Sequence, residues 1–283
     1  KHIQSFTKQE VQQNGVFKSD LNQMETSVFS EWNHSKDKFS CSLGLKANRV
    51  HFSNISINKS YYNFLPKAML GYRLNENSFI RYDVEMSQTN PTLVELTDTE
   101  IRLDPYLAER GNLLLKPYSN LNNNLFYEHK KGLFTFNANL RHHYKHNPIM
   151  ESVKEQGNIF LIIPENMKSW NKYNAEMNLK VGMIKNILQF SLTGGYNHFN
   201  SQGNNYSHEY SNFYYSANVL AMYKKWMFIV QIQPFDEKLY GETVIKSGNY
   251  HYLAIQYNTD NFSFGIGAFN PFKNVSRTVI ENK

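Results

Sequence analysis

The stretch "SWNKYNAEMNLKVGMIKNILQFSLTGGYNHFN", residues 169–200, decides how this chain folds. Tyr173, Ala175, Met177, Leu179, Val181 and Met183 alternate with Asn174, Glu176, Asn178, Lys180 and Gly182. A period of two marks a strand with unlike faces, because successive side chains point to opposite sides. After Lys185-Asn186 the alternation restarts, with Leu188, Phe190 and Leu192 set against Gln189, Ser191 and Thr193. Two such runs around a tight polar turn read as an antiparallel hairpin. Globular strands are mostly about five or six residues long. A tilted strand that crosses a membrane needs about nine to eleven. These runs are long enough to cross.

The unit recurs along the chain. Hairpins are expected at 23–33/38–51, 61–74/78–89, 120–129/133–146, 169–184/187–200, 206–223/227–235 and 247–258/262–270. Their turns are short and polar, whereas the connections between hairpins are long: residues 90–118 and 147–168. Short turns at one end and long loops at the other are the pattern of an outer-membrane barrel. The stripes at 68–86 agree: Ala68, Leu70, Tyr72, Leu74, Ile80, Tyr82, Val84 and Met86 on one face, Arg73, Arg81, Asp83 and Glu85 on the other. Phe134, Phe136, Ala138 and Leu140 repeat the pattern, as do Phe262, Phe264, Ile266 and Ala268. Aromatic residues gather near strand ends (Phe29, Trp32, Tyr61, Tyr62, Tyr144, Trp170, Tyr223, Trp226, Tyr250 and Tyr252), as the two girdles of a membrane barrel require.

Composition fits this reading. The 283 residues are 15% aromatic and only 19% charged, with 19 Tyr and 20 Phe. A mean hydropathy of −0.58 is compatible with a barrel, because half of each strand faces polar surroundings. The net charge of +6 is scattered over turns such as Lys36-Asp37-Lys38 and Lys130-Lys131, without the basic stripe that grips nucleic acid. Cys41 is the single cysteine, so no disulfide framework or cysteine metal cluster is expected. It falls on the apolar face of its strand. "KHIQSFTKQEV" at the start lacks the apolar core of a signal peptide, and no apolar run is long enough for a membrane helix.

The segment "FLPKAMLGYRLNENSFIRYDVEMSQTNPTLVELTDTEIRLDPYLAERGNLLLKPY", residues 64–118, carries a motif in its residues. Pro66, Tyr72, Arg81, Tyr82, Pro91 and Leu96 are followed by Gly111, Asn112, Leu115, Lys116 and Pro117. In this order they resemble the C-terminal barrel of TonB-dependent receptors, closest to the Bacteroidetes outer-membrane β-barrel family. "FGIGAFNPFKN" at 264–274 is similar to the Asn-Pro-Phe segment late in that barrel. The resemblance spans about residues 20 to 274. It implies an all-β, antiparallel up-and-down transmembrane barrel, with about 12 strands here out of a larger barrel of the 22-stranded kind. It implies one barrel region over 1–283, cut at both ends, with the plug domain outside it. The implied location is the outer membrane of a Gram-negative bacterium. The implied function is energised import of a nutrient. The implied partners are membrane lipid, TonB through an N-terminal part not in this sequence, the nutrient itself and a surface lipoprotein. Substrate contacts would come from the long loops, with Arg102, Arg110 and Trp170 as candidate ligand-binding residues.

No catalytic residue, cofactor or metal is expected. His142 and His146 share a strand face without a third ligand at readable spacing, and read as rim histidines. Asp83 and Glu85 share a face with Arg81, so a lumen charge pair accounts for them. Two other readings fit the pattern. One is a barrel kept as a membrane scaffold or anchor without transport. The other is a soluble β-rich protein that binds glycans through exposed aromatics.

Overall fold

In the computed structural model, residues 2–11, 19–53, 58–92, 94–97, 99–233, 237–246, 250–272 and 278–282 are described. The expected strand ends at Ser247 and Phe235, and Lys273 and Asn274 of the late motif, lie outside them. The described residues hold β-strands and no helix. In chain order these are β1 (His2–Val11), β2 (Ser19–Lys36), β3 (Phe39–Ser53), β4 (Asn58–Asn75), β5 (Ser78–Thr89), β6 (Glu100–Asp104) and β7 (Leu107–Arg110). Next come β8 (Tyr118–Lys131), β9 (Phe134–His146), β10 (Ile149–Gln156), β11 (Ile159–Asn166), β12 (Ser169–Ile184) and β13 (Leu188–Gln202). The last are β14 (Ser207–Tyr223), β15 (Trp226–Gln233), β16 (Glu237–Tyr240), β17 (Thr243–Lys246), β18 (Tyr250–Asn258), β19 (Ser263–Phe269) and β20 (Val279–Asn282).

All six expected hairpins are present, and they form one 13-stranded sheet in the order β1-β2-β3-β4-β5-β8-β9-β12-β13-β14-β15-β18-β19. Neighbours in this sheet are antiparallel, as an up-and-down barrel wall demands. The thirteenth strand is β1, where the reading from sequence counted about twelve. "HIQSFTKQEV" shows no run of alternating apolar residues, so period gave no signal there. The strands are long: β4 has 18 residues and β14 has 17. The hairpin turns need backbone that bends left-handed. Gly132 supplies φ 58° in the β8–β9 turn, and Lys185 and Asn186 take φ 48° and 57° after β12.

The register lines up the apolar stripes. Leu70 faces Tyr82, Tyr82 faces Leu125, Leu125 faces Leu140, Leu140 faces Ala175, Ala175 faces Tyr196 and Tyr196 faces Phe213. Phe213 is 83% exposed, and Leu70, Tyr82, Leu125, Leu140 and Tyr196 are also exposed although apolar. A continuous uncovered apolar band is the surface that lipid covers. Cys41 lies on it, opposite Leu70.

The opposite face is polar: Ser42, Asp83, Asn124, Arg141, Asn174, Asn197 and Asn212 share one face across the sheet. Parity corrects half of the expected aromatic girdle. Trp32, Tyr62, Tyr144, Tyr223 and Trp226 share the apolar face, but Phe29, Tyr61, Trp170, Tyr250 and Tyr252 point the other way. Nearness to a strand end says nothing about side, and an adjacent pair such as Tyr61-Tyr62 must split between faces. At the short-turn end Trp226 packs on Tyr257 (ring centroids 4.8 Å) and Tyr257 on Phe264 (5.8 Å).

The water-excluded core sits against the inner face of the wall, at the long-loop end. The long connections contain strands of their own. One small sheet has the order β10-β11-β7-β6 and another the order β16-β17-β20. Val50 and Phe52 of β3 pack with Leu96, Leu115 and Ile149 from the loops. A second cluster joins Trp170 and Phe199 from the wall to Met150, Met167, Leu239 and Val244.

Candidate functional site

Two spaces are built on this frame. The first lies among the long loops. A cavity of about 840 Å³ is lined by Thr92, Glu95, Thr97, Ile101, 109–111 and Tyr118 of the first loop, by 149–151, Val153, Ile162 and Pro164 of the second, and by 240–243, Ile245 and Ile280. Its walls are mixed, with Ile101, Ile149, Val153, Ile162 and Ile245 beside Arg110, Glu109 and Glu151. The loops at 90–118 and 147–168, expected to carry ligand contacts, therefore converge on one space.

What holds those loops is the motif around Gly111 and Asn112. A Cβ on Gly111 would lie 2.2 Å from the Thr97 carbonyl oxygen and 2.6 Å from that of Glu95, both backbone atoms. Only glycine lets the two chain segments approach so closely. The Asn112 backbone N–H donates to the Glu95 carbonyl (2.6 Å), and its side-chain amide donates to the Pro164 carbonyl (3.1 Å). The Asn112 side-chain oxygen also accepts from the Leu114 N–H (2.9 Å). Tyr61 donates to the Leu115 carbonyl (3.2 Å) and Lys59 to that of Leu113 (2.6 Å). Asn166 closes the set: its side-chain oxygen accepts from the Lys116 N–H, and its amide donates to the Lys116 and Asn147 carbonyls, each at 2.9 Å. The motif is a latch between β4 and both long loops.

The three residues expected to touch ligand fare differently. Arg110 lines the loop cavity, and no protein partner engages its guanidinium among the described residues. Arg102 sits on β6 outside the cavity lining, exposed, 3.9 Å from Glu100. Trp170 is only 6% exposed and belongs to the second apolar cluster. Its indole N–H donates to the Leu239 carbonyl (2.7 Å), so its one polar group is already used. In this arrangement Trp170 anchors a loop and is not among the residues that line the cavity.

Where Tyr118 and Tyr240 line the cavity, they belong to a cluster that the sequence did not announce. The Lys145 ammonium lies over three rings: Tyr240 at 4.7 Å, Trp170 at 4.9 Å and Tyr118 at 5.7 Å. Rings from three separate segments hold one cation through their negative faces. Tyr240 also donates to the Ile149 carbonyl (3.0 Å), and burial pushes its phenol up, so it stays a neutral donor. No local spacing announces such a set. Lys145, Tyr118, Trp170 and Tyr240 meet only because β8, β9 and β12 are adjacent and β16 folds over them.

The second space is the polar face of β8, β9, β12, β13 and β14, a cavity of about 830 Å³ lined with Asn122, Asn124, Asn137, Asn139, Asn174 and Asn178 among others. Glu176 organises its middle. Arg141 lies 3.3 Å from it, and Tyr214 donates to its other oxygen at 2.7 Å. Asn174 donates to the Tyr214 hydroxyl and to the Asn197 side-chain oxygen, both at 2.9 Å. Tyr214 can lie flat across β13 because residue 195 is glycine; a Cβ there would meet its ring at 2.3 Å. Arg81 and Asp83 pair at 2.9 Å, as their shared face led one to expect. His142 stacks on Tyr173 (4.5 Å) on the apolar face, and no cluster of metal-ligating side chains occurs among the described residues.

Comparison with known proteins places this architecture. A siderophore receptor, PirA from Pseudomonas aeruginosa, superposes with a TM-score of 0.60 at 13% identity, over 90% of this chain and 54% of that one. The copper transporter OprC gives a TM-score of 0.70 at 10% identity, over 93% and 44%. The FrpB iron transporter from Neisseria meningitidis gives 0.64 at 11%, over 92% and 43%. The chain thus spans about half or less of the length of these receptors and transporters. No curated protein sequence matches it significantly. The family model described as the outer membrane protein beta-barrel family matches residues 3–282. With its lipid-facing band, polar inner face and loop-covered end, this chain belongs to the outer membrane protein β-barrel family.

Proposed function

We propose that this chain forms wall and extracellular loops of a TonB-dependent receptor that binds a nutrient at the cell surface and imports it. The observation that carries this reading is the loop cavity: the two long loops, latched by Gly111 and Asn112, enclose with residues 240–243 about 840 Å³ at one end of a polar-lined sheet. A binding space above a polar passage suits capture followed by translocation, without bond-making chemistry. The similar proteins named above are a siderophore receptor and metal transporters. They support the class of activity and leave the cargo of this protein open. Energy would come from TonB acting on a plug outside this sequence, and a surface lipoprotein would meet the loops. The β1 and β19 edges of the sheet would be closed by further strands of the same barrel. Arg110 is the residue best placed to meet an anionic group on the cargo, with Arg102 a peripheral contact.

The test is uptake. Cells that lack the parent protein are screened for loss of growth on, or uptake of, individual nutrients, and the deficit is restored with the wild-type gene. Restoration that requires TonB and is impaired by Arg110→Ala supports the proposal. Complementation that is indifferent to TonB depletion would sink it and favour a scaffold or anchor.

A further inference from the structure

The apolar face of β2, β3 and β4 carries a feature that import does not use. Near the loop end of these strands, Thr26, Val28, Ala47, Arg49, Tyr62 and Phe64 line a shallow groove of about 430 Å³. All six share the lipid-facing side by register: Val28 faces Ala47, which faces Phe64, and Thr26 faces Arg49, which faces Tyr62. Arg49 is therefore a cation on the membrane side of the wall. Its height is set by its neighbour Val50, which points inward into the loop core with Phe52. That places Arg49 at the outer rim of the apolar band, where an arginine is tolerated far better than at the midplane.

The guanidinium is held and unneutralised. One nitrogen donates to the Ser60 hydroxyl (3.2 Å), and the group lies 5.8 Å over the Tyr62 ring. His51 binds the same Ser60 hydroxyl (3.0 Å), adding a second basic group beside it. Thr26 and Tyr62 stand directly opposite Arg49, and Met24, Val28, Ser60 and Phe64 are its diagonal neighbours, so no carboxylate meets it on this face. The remaining N–H donors of Arg49 have no protein partner among the described residues. Beside it Tyr62 is 74% exposed, and below it Val28 and Phe64 are 59% and 65% exposed.

We propose that this groove binds one outer-leaflet lipid through a phosphate group. Arg49 takes the phosphate through its planar fork, with His51 alongside, and an acyl chain lies against Val28, Ala47 and Phe64. The fork geometry of arginine matches phosphate oxygens. The apolar strip beneath distinguishes a lipid from free phosphate, which would have no use for it. This inference needs only the outer-membrane placement and stands whether or not the barrel imports a nutrient.

The full-length protein is extracted in mild detergent, stripped of lipid, and titrated with phosphatidic acid, phosphatidylcholine or inorganic phosphate while bound lipid is counted by native mass spectrometry. The expected result is retention of one phosphatidic acid with little retention of phosphatidylcholine. Arg49→Gln should weaken it about tenfold, the size of one charge-assisted contact. Arg73→Gln, at the short-turn end, should not. Folding of each variant is read from the shift of the unboiled band on a gel. If Arg49→Gln fails to fold, Arg49→Lys, which keeps the charge but not the fork, must still weaken binding. Retention that is equal in wild type and the Arg49 variants overturns the proposal. So does competition by inorganic phosphate at concentrations similar to the lipid, which would make the site a phosphate site only.

Discussion

At the scale of single residues, the motif that first attracts the eye is structural. Gly111 and Asn112 hold the long loops in place through backbone proximity and two side-chain hydrogen bonds. Gly111→Ala should release the latch, because the new Cβ collides with backbone oxygens that have nowhere to go. Limited proteolysis of folded protein would show faster cleavage within 90–117 while the barrel band persists. Asn112→Ala should loosen the same loops by about 1–3 kcal/mol, the usual cost of stranding buried polar partners. Trp170→Ala should cost about 3–5 kcal/mol in the loop core. It would expose residues 237–246 to protease, since the Leu239 carbonyl loses its donor and Lys145 loses a ring. A merely ligand-touching tryptophan would leave that loop protected.

At the scale of the element, each wall strand has two solvents, and adjacent positions answer to different ones. Met177 and Asn178 sit next to each other near the middle of β12, on the apolar and polar faces respectively. Met177→Arg should destabilise refolding into lipid vesicles by about 2–4 kcal/mol, as for a lipid-facing charge near the midplane. Asn178→Arg should be close to neutral in the same urea titration, because its face is wet. Similar penalties at both positions would contradict the assignment of faces. Among the hairpins the sequence is a faithful guide: each of the twelve strands read from alternation is present, with ends displaced by a few residues. The missed strands are β1, which lacks alternation, and the short loop strands β6, β7, β10, β11, β16, β17 and β20. These last have four to eight residues and lie outside the six hairpins, most of them without the two-faced alternation that marks even the seven-residue β19.

At the scale of the whole molecule, the sheet runs from β1 to β19 without joining its ends among the described residues. Unpaired strand edges are not tolerated in hydrocarbon. The 283-residue chain expressed alone should therefore fail to give a monomeric, heat-modifiable barrel in detergent. The native polypeptide recovered from the cell envelope should have an intact mass well above 33.2 kDa. A stable monomer of 33.2 kDa would instead mean that these strands close on themselves. At this scale too the soluble glycan-binding reading falls away, since the family match and the uncovered apolar band both place the wall in the outer membrane.

What the sequence by itself determined is local: strand, turn, and the face each wall residue shares with its neighbours two away. Alternation encodes those directly, because a strand's side chains switch sides at every residue and the two sides meet different solvents. Arg110 was also legible as a loop cation, though not as part of a cavity. What only the tertiary structure decided is which distant segments meet. The parallel pairing of β7 with β11, the rings around Lys145, the inward turn of Trp170 and the groove below Arg49 all join residues far apart in the chain. Such contacts are fixed by strand register and by how loops pack over the rim, and neither leaves a periodic trace in the order of residues.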